Sequence, residues 1–179
     1  IRRQRQMCIR DSPILYLVVG SNIDPERHLA EALALLRGRF NVLAVSSVYQ
    51  SPAFGFAQQP DFLDIVVKIA TPLLPVIVKE KLEFIEKRLG RDRANQATKH
   101  GPLTLDMDIL LWGDGDFSFG NKPWRVPHDS ITKYAAVAIP LAEIAGDVIH
   151  PSEKVTISEI ASRFTGAHGV SVRRDVVLE

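Results

Sequence analysis

The chain has 179 residues, 46% of them apolar and 24% charged, with a formal net charge of +1. That size suits one globular domain with an adequate core, and a charge so near zero gives no reason to expect a nucleic-acid or membrane-surface partner. A single cysteine, Cys8, excludes a disulfide framework and points to a reducing compartment, and no apolar run is long enough to span a bilayer.

Residues 1–12, "IRRQRQMCIRDS", are basic and aperiodic, without the apolar stretch of a signal peptide. They resemble the translation of a sequencing adapter joined to a reading frame. The alternative is a native disordered tail, and in either case residues 13–179 are expected to form the single domain. Ile14 to Gly20 is a continuous apolar, β-branched run that predicts a buried strand. A helix follows, with Asp24 as N-cap, Pro25 at its first position, Leu29, Leu33 and Leu36 at helical spacing, and Gly38 as stop. "FNVLAVSSVYQS" reads as one second strand, "PAFGFAQQP" as a loop and "DFLDIVVKIAT" as a third strand. Pro72 and Pro75 open a second helix with the stripe Val78, Leu82, Ile85 and Leu89, ended by Gly90.

A polar, basic loop then leads into "LTLDMDILLW", a fourth strand, and "GDGDFSFGNKP" reads as a turn. "VPHDSITKYAAVAIPLAEIA" predicts a helical region broken at Pro140. "TISEIASRF" predicts a last short helix and "VSVRRDVVLE" an edge strand. His28 and His150 lack ligand spacing and are expected at the surface. Trp112 and Trp124 flank the aspartate-rich turn, where rim packing is favoured over stacking on a ligand. Asp114 and Asp116 lack the acidic twelfth residue of a calcium loop, and no P-loop is present. The order β-α-β-β-α-β plus C-terminal helices predicts an α+β, ferredoxin-like βαββαβ sandwich. Its antiparallel sheet would be covered by helices on one face.

Chemistry concentrates in the fourth strand. Residues two apart in a strand project from one face, so Asp106 and Asp108 stand side by side. Paired carboxylates repel unless a cation lies between them, and Mg²⁺ takes one or two protein carboxylates together with substrate phosphates. The plainer alternative is an exposed strand face with two solvated acids. Arg91, Arg93 and Lys99 precede this strand, Lys122 and Arg125 follow it, and His128 lies near the same end in sequence. A polyphosphate needs such cations around it.

"GSN" (20–22), "VSSVYQSPAFGFAQQPDFLD", "GR" followed by "GPLTLDMDIL", and "VPH" followed by "PLAEIA" and "HP" resemble, in order, the 6-hydroxymethyl-7,8-dihydropterin pyrophosphokinase family. The resemblance covers roughly Ile14 to Pro151 and implies a ferredoxin-like, folate-pathway enzyme that moves diphosphate from ATP to the pterin hydroxymethyl group and releases AMP. It implies that Asp106 and Asp108 bind two Mg²⁺ ions and that Arg91 and Arg93 clamp the triphosphate. Glu86, Lys99, Ile109, Arg125 and His128 would serve the ATP site, and Ser51, Pro52, Phe54, Phe62, Asp64 and His100 the pterin pocket. A cytoplasmic monomer acting on small molecules is the expectation.

Five positions depart from the family pattern: Leu103 and Tyr134 where it has arginines, His100 where an aromatic is common, Ala136 where it has phenylalanine, and Asp64 where it has asparagine. A carboxylate in place of an amide keeps acceptors and removes donors, favouring a ligand edge with two N–H groups. The departures leave open a paralogue acting on a related pterin alcohol, or a non-catalytic pterin- or nucleotide-binding module. A nucleotide-sugar transferase using the Asp-x-Asp pair is a weaker reading, the chain being short for it.

Overall fold

Both faces of β1 (Ile14–Ser21) are covered: Leu15, Leu17 and Val19 turn to one side, Tyr16 and Val18 to the other. Such a strand belongs inside a sheet, and β1 lies between β4 (Phe62–Ala70) and β5 (Asp106–Trp112), antiparallel to each. Outside β4 come β2 (Asn41–Val45) and β3 (Tyr49–Ser51), and β8 (Ser171–Val172) pairs with β3. The sheet order is β5-β1-β4-β3-β8, which leaves β5 on an edge. The computed structural model describes residues 12–53, 58–92, 101–164, 166 and 169–178.

Two cores sandwich this sheet. α1 (Pro25–Arg37) and α2 (Pro75–Arg88) press Leu29, Leu33, Leu36, Val78, Leu82 and Ile85 onto the Leu15–Leu17–Val19 face. α3 (Ser130–Lys133), α4 (Ala135–Ala145) and α5 (Ile157–Ser162) bring Ile131, Val137, Leu141, Ile157 and Ile160 to the opposite face. Each fully buried side chain of this kind contributes about 1.5–3 kcal/mol of transfer free energy. The helices expected on one face are α1 and α2, and the C-terminal helices cover the other.

Several local expectations need correction. The run expected as one second strand is two, β2 and β3, both paired to β4. Between them the Ser46 hydroxyl accepts from the Val66 N–H at 2.9 Å while the Ser46 N–H donates to the Val66 carbonyl, so a side chain takes over one rung of the ladder. The fourth strand begins at Asp106 rather than Leu103, because Leu103 bonds instead to the segment after β1. The aspartate-rich turn contains a hairpin, β6 (Phe117–Phe119) paired with β7 (Trp124–Val126). α4 runs through Pro140, and the helical break falls at the extended Tyr134; burial of Ala138, Pro140 and Leu141 offsets the missing proline N–H.

Asp24 adopts left-handed backbone (φ 42°) and makes no side-chain cap, pairing with Arg27 at 3.5 Å instead. Thr156 and Glu159, by contrast, form a reciprocal capping box on α5. His28 and His150, expected at the surface, are both buried. His28 Nδ1 lies against the Ile23 carbonyl, and His150 Nδ1 accepts from the Glu153 N–H at 3.1 Å.

Candidate active site

Strand register builds the site. Gly20 on β1 stands opposite Asp106 on one side and Asp64 on the other, so the three residues form a row across β5, β1 and β4. Asp108 stands opposite Val18, and residues directly opposite share a face. All three acids therefore point to the face that carries α3 to α5, but beyond where those helices cover it. The Asp106 and Asp108 side chains keep 39% and 33% of their surface exposed, enough for a ligand to reach either.

β5 is an edge strand, and outward backbone groups along it are taken up by side chains and by one backbone N–H. Glu86 on α2 accepts the Met107 N–H at 2.8 Å. Lys79, seven residues earlier on the same helix, donates to the Met107 carbonyl at 2.7 Å. Arg91 donates to the Leu105 carbonyl at 3.2 Å, and the His128 N–H donates to the Leu110 carbonyl at 2.9 Å. Gly90, at φ 87°, makes the left-handed turn that ends α2 and brings Arg91 there, a conformation strained for any residue with a Cβ.

The same basic residues approach the acids. Lys79 Nζ donates to Asp108 Oδ1 at 2.7 Å, Arg91 Nη2 lies 3.7 Å from Asp106 Oδ1, and His128 Nε2 lies 4.0 Å from Asp108 Oδ2. His128 Nδ1 lies 2.7 Å from the Ser130 hydroxyl and 3.3 Å from the Ser130 backbone nitrogen, contacts that fix the orientation of the ring. Beside this cluster opens a cleft of about 290 Å³ lined by Lys79, Asp108, Ile109, Arg125 and His128 on one part and by Phe119 and Trp124 on another. Arg125 also pairs with Asp116. Trp112 is buried in the core, whereas Trp124 lies at the cleft with Lys122 5.0 Å above its ring. Glu86 is buried and does not line the cleft.

Asp64 sits in a different environment. It is buried, and Ser51 donates to its Oδ2 at 3.2 Å. Burial pushes its pKa up to about 7; the Ser51 bond opposes that rise and the charge of Asp106 adds to it. A Cβ at Gly20 would meet the Asp64 carboxylate, so a larger residue there would have to displace that buried side chain. Phe62 borders the same glycine, and Pro52, exposed, lies against Gly169.

Asn22 joins the surrounding loops. Its Oδ1 accepts the Leu103 N–H at 2.8 Å, its Nδ2 donates to Gln59 and to the Pro60 carbonyl, and the Leu103 carbonyl accepts from the N–H groups of Asn22 and Ile23. The sequence singled out Asn22 only within "GSN", and it gave Lys79 no role. Phe54, Arg93, Lys99 and His100, expected at the site, lie outside the described residues.

Among the described residues no cluster of three His, Cys, Asp or Glu could hold a metal by itself. Two half-exposed carboxylates on one face suit a hard divalent ion whose remaining ligands are water and substrate phosphate oxygens. The arrangement offers an acid pair, a basic rim, a cleft with aromatic walls, and a separate buried carboxylate across the sheet.

Residues 16–146 match the family described as 7,8-dihydro-6-hydroxymethylpterin-pyrophosphokinase (HPPK). The chain is similar to the 2-amino-4-hydroxy-6-hydroxymethyldihydropteridine pyrophosphokinase of Aquifex aeolicus, at 36% identity over 84% of this chain and 92% of the relative. It is similar also to the enzyme of that name from Bacillus subtilis, at 38% over 89% of each. Among solved structures it resembles Plasmodium falciparum HPPK-DHPS with pterin and p-hydroxybenzoate, with a TM-score of 0.69 and 12% identity, a likeness of fold alone. It covers 86% of this chain and 43% of that longer one, so the present chain spans less than half of the Plasmodium protein. By the family match and these relatives, the chain belongs to the 7,8-dihydro-6-hydroxymethylpterin-pyrophosphokinase family.

Proposed function

We propose that this chain transfers the terminal diphosphate of ATP to the hydroxymethyl group of 6-hydroxymethyl-7,8-dihydropterin, releasing AMP, as a step of folate biosynthesis. The observation that carries the reading at the level of the site is the Asp106–Asp108 pair, partly exposed on one face and approached by Lys79, Arg91 and His128, with Asp108 in the wall of a cleft. The pterin hydroxyl oxygen bonds to the β-phosphorus of ATP. The bond from that phosphorus to the oxygen shared with the α-phosphorus breaks, AMP leaves with that oxygen, and the hydroxyl proton passes to solvent. Asp106 and Asp108 would hold Mg²⁺, two ions in this reading; when bound, it neutralises phosphate charge and brings the hydroxyl into line with the β-phosphorus.

Arg91, Arg93, Lys99, Arg125 and His128 would grip the polyphosphate, Arg91 from the position where the turn at Gly90 leaves it. Ile109 lies in the wall of the cleft that would receive the nucleotide. Glu86 would act at one remove, through the edge of β5 that it holds in place. Across the sheet, Asp64 would accept two N–H groups from the pyrimidine edge of the pterin, with Ser51, Pro52, Phe54, Phe62 and His100 around it. The strand order suits a ferredoxin-like arrangement within a single domain of residues 13–179, acting as a cytoplasmic monomer.

The test is direct. Purified protein with ATP, Mg²⁺ and the hydroxymethyl-dihydropterin is expected to form AMP and pterin diphosphate in equal amounts. Pterin binding without AMP would replace this reading with that of a non-catalytic module.

A further inference from the structure

Lys79 reaches the site cluster from the far side of the sheet. It sits on α2, between the core residues Val78 and Leu82, and passes the open edge of β5 to reach the acids. Its side chain is only 5% exposed, so this is a fixed ammonium and not a surface lysine that swings past. Two bonds of 2.7 Å hold it, one to the Met107 carbonyl and one to Asp108 Oδ1. The first would satisfy a purely structural role at the sheet edge. The second places a positive charge on the carboxylate where a divalent ion would coordinate. Arg91 stands 3.7 Å from Asp106, and Lys79 is in direct hydrogen-bond contact with Asp108.

We propose that the Lys79 ammonium is a built-in competitor for the divalent cation at Asp108, so that the site takes up metal together with nucleotide in preference to metal alone. The proposal rests on the reading of Asp106 and Asp108 as metal ligands. Without nucleotide, an incoming ion meets a like charge at Oδ1 and finds Asp108 already committed. A polyphosphate entering the cleft, which Lys79 also lines, offers the ammonium another anion, and Oδ1 then becomes available to the ion. By linkage, nucleotide raises metal affinity and metal raises nucleotide affinity by the same factor. Lys79 is in this sense a positioning residue that sets the coupling between the two.

The experiment is a titration of the whole chain with Mn²⁺ alone, read by electron paramagnetic resonance, on the wild type, Lys79→Gln, Lys79→Arg and Asp108→Ala. Lys79→Gln keeps a donor for the Met107 carbonyl and removes the charge. It is expected to bind free Mn²⁺ roughly tenfold more tightly, the scale of one unit charge close to a divalent ion under near-aqueous screening. Lys79→Arg, which keeps the charge, is expected to stay near the wild type. With saturating ATP the advantage of Lys79→Gln is expected to shrink or reverse. Should Lys79→Gln not fold, Lys79→Met, of similar length and uncharged, takes its place with the same expectation. Unchanged or weaker Mn²⁺ binding in the uncharged variant, while Asp108→Ala loses binding, overturns the competitor role and leaves the metal site standing. Mn²⁺ binding that Asp108→Ala does not alter overturns both.

Discussion

The β5 edge and the centre of β4 carry acids on the same face of one sheet, yet treat them in opposite ways. At the edge, Asp106 and Asp108 are partly exposed and, among the described residues, approached by basic side chains from α2, the segment after it, and the segment before α3. In the interior, Asp64 is buried and its hydrogen bond comes from a neutral hydroxyl, that of Ser51. An acid compensated by cations stays charged and can exchange those cations for a metal. An acid buried without a cation, as Asp64 is among the described residues, is held toward its neutral form until a ligand with N–H groups arrives. One row of residues, Asp106–Gly20–Asp64, thus joins a region suited to charge and a region suited to a flat heterocycle.

The largest expected effect of breaking this contrast is at the edge. Asp106→Ala is expected to lower the rate of AMP formation by a factor on the order of 10³, with little change in melting temperature, since the side chain is well exposed. Activity and melting curves measured on the same preparation check it, and retained activity would remove the metal-holding role. Next comes the joint of the row. Gly20→Ala drives a Cβ into Asp64 inside a rigid sheet, with an expected stability loss of about 2 kcal/mol and weaker pterin binding. Urea unfolding and pterin titration read the two effects separately.

An effect of similar size and opposite sign is expected at Asp64 itself. Its pKa rises from 3.8 to about 7, so between those values the folded protein holds a proton that the unfolded chain has released. The stability linked to this group is full below pH 3.8 and is lost as pH rises toward 7. Asp64→Asn is expected to flatten the stability profile between pH 4 and 7 and to gain about 2 kcal/mol at pH 8, measured by denaturant unfolding across pH. An unaltered slope would mean that Asp64 is not the uncompensated acid of the comparison. The smallest effect is a control: Lys133→Ala, which breaks an exposed pair with Asp129, is expected to leave melting and AMP formation unchanged.

Much of this arrangement was legible in the sequence where periodicity is strong. The apolar run of β1, the leucine stripe of α1 and the stripe of α2 needed only spacing to be read, and the two-residue separation of Asp106 and Asp108 put them on one face. Lys79 was not legible. A lysine in an amphipathic helix normally belongs to solvent, and only the packing of α2 beside a strand edge gives it a buried carbonyl and a partly exposed carboxylate as acceptors. Glu86 drew attention through family resemblance alone, since its partner is a backbone N–H 21 residues away. The burial of His28 and His150 depends on carbonyl and amide partners that only local folding supplies. The β6–β7 hairpin did leave a signal in the alternation Phe117, Ser118, Phe119, which the surrounding glycines and aspartates obscured.

The central claim is that the paired acids of β5 hold divalent cations against a polyphosphate. It is tested most directly by a crystal structure with Mn²⁺, a non-hydrolysable ATP analogue and the pterin, with manganese located by anomalous scattering. The account predicts manganese within coordination distance of both Asp106 and Asp108, bridged to the analogue's phosphates, with the pterin's N–H edge at Asp64. Nucleotide bound away from this face, or manganese touching neither aspartate, would contradict it.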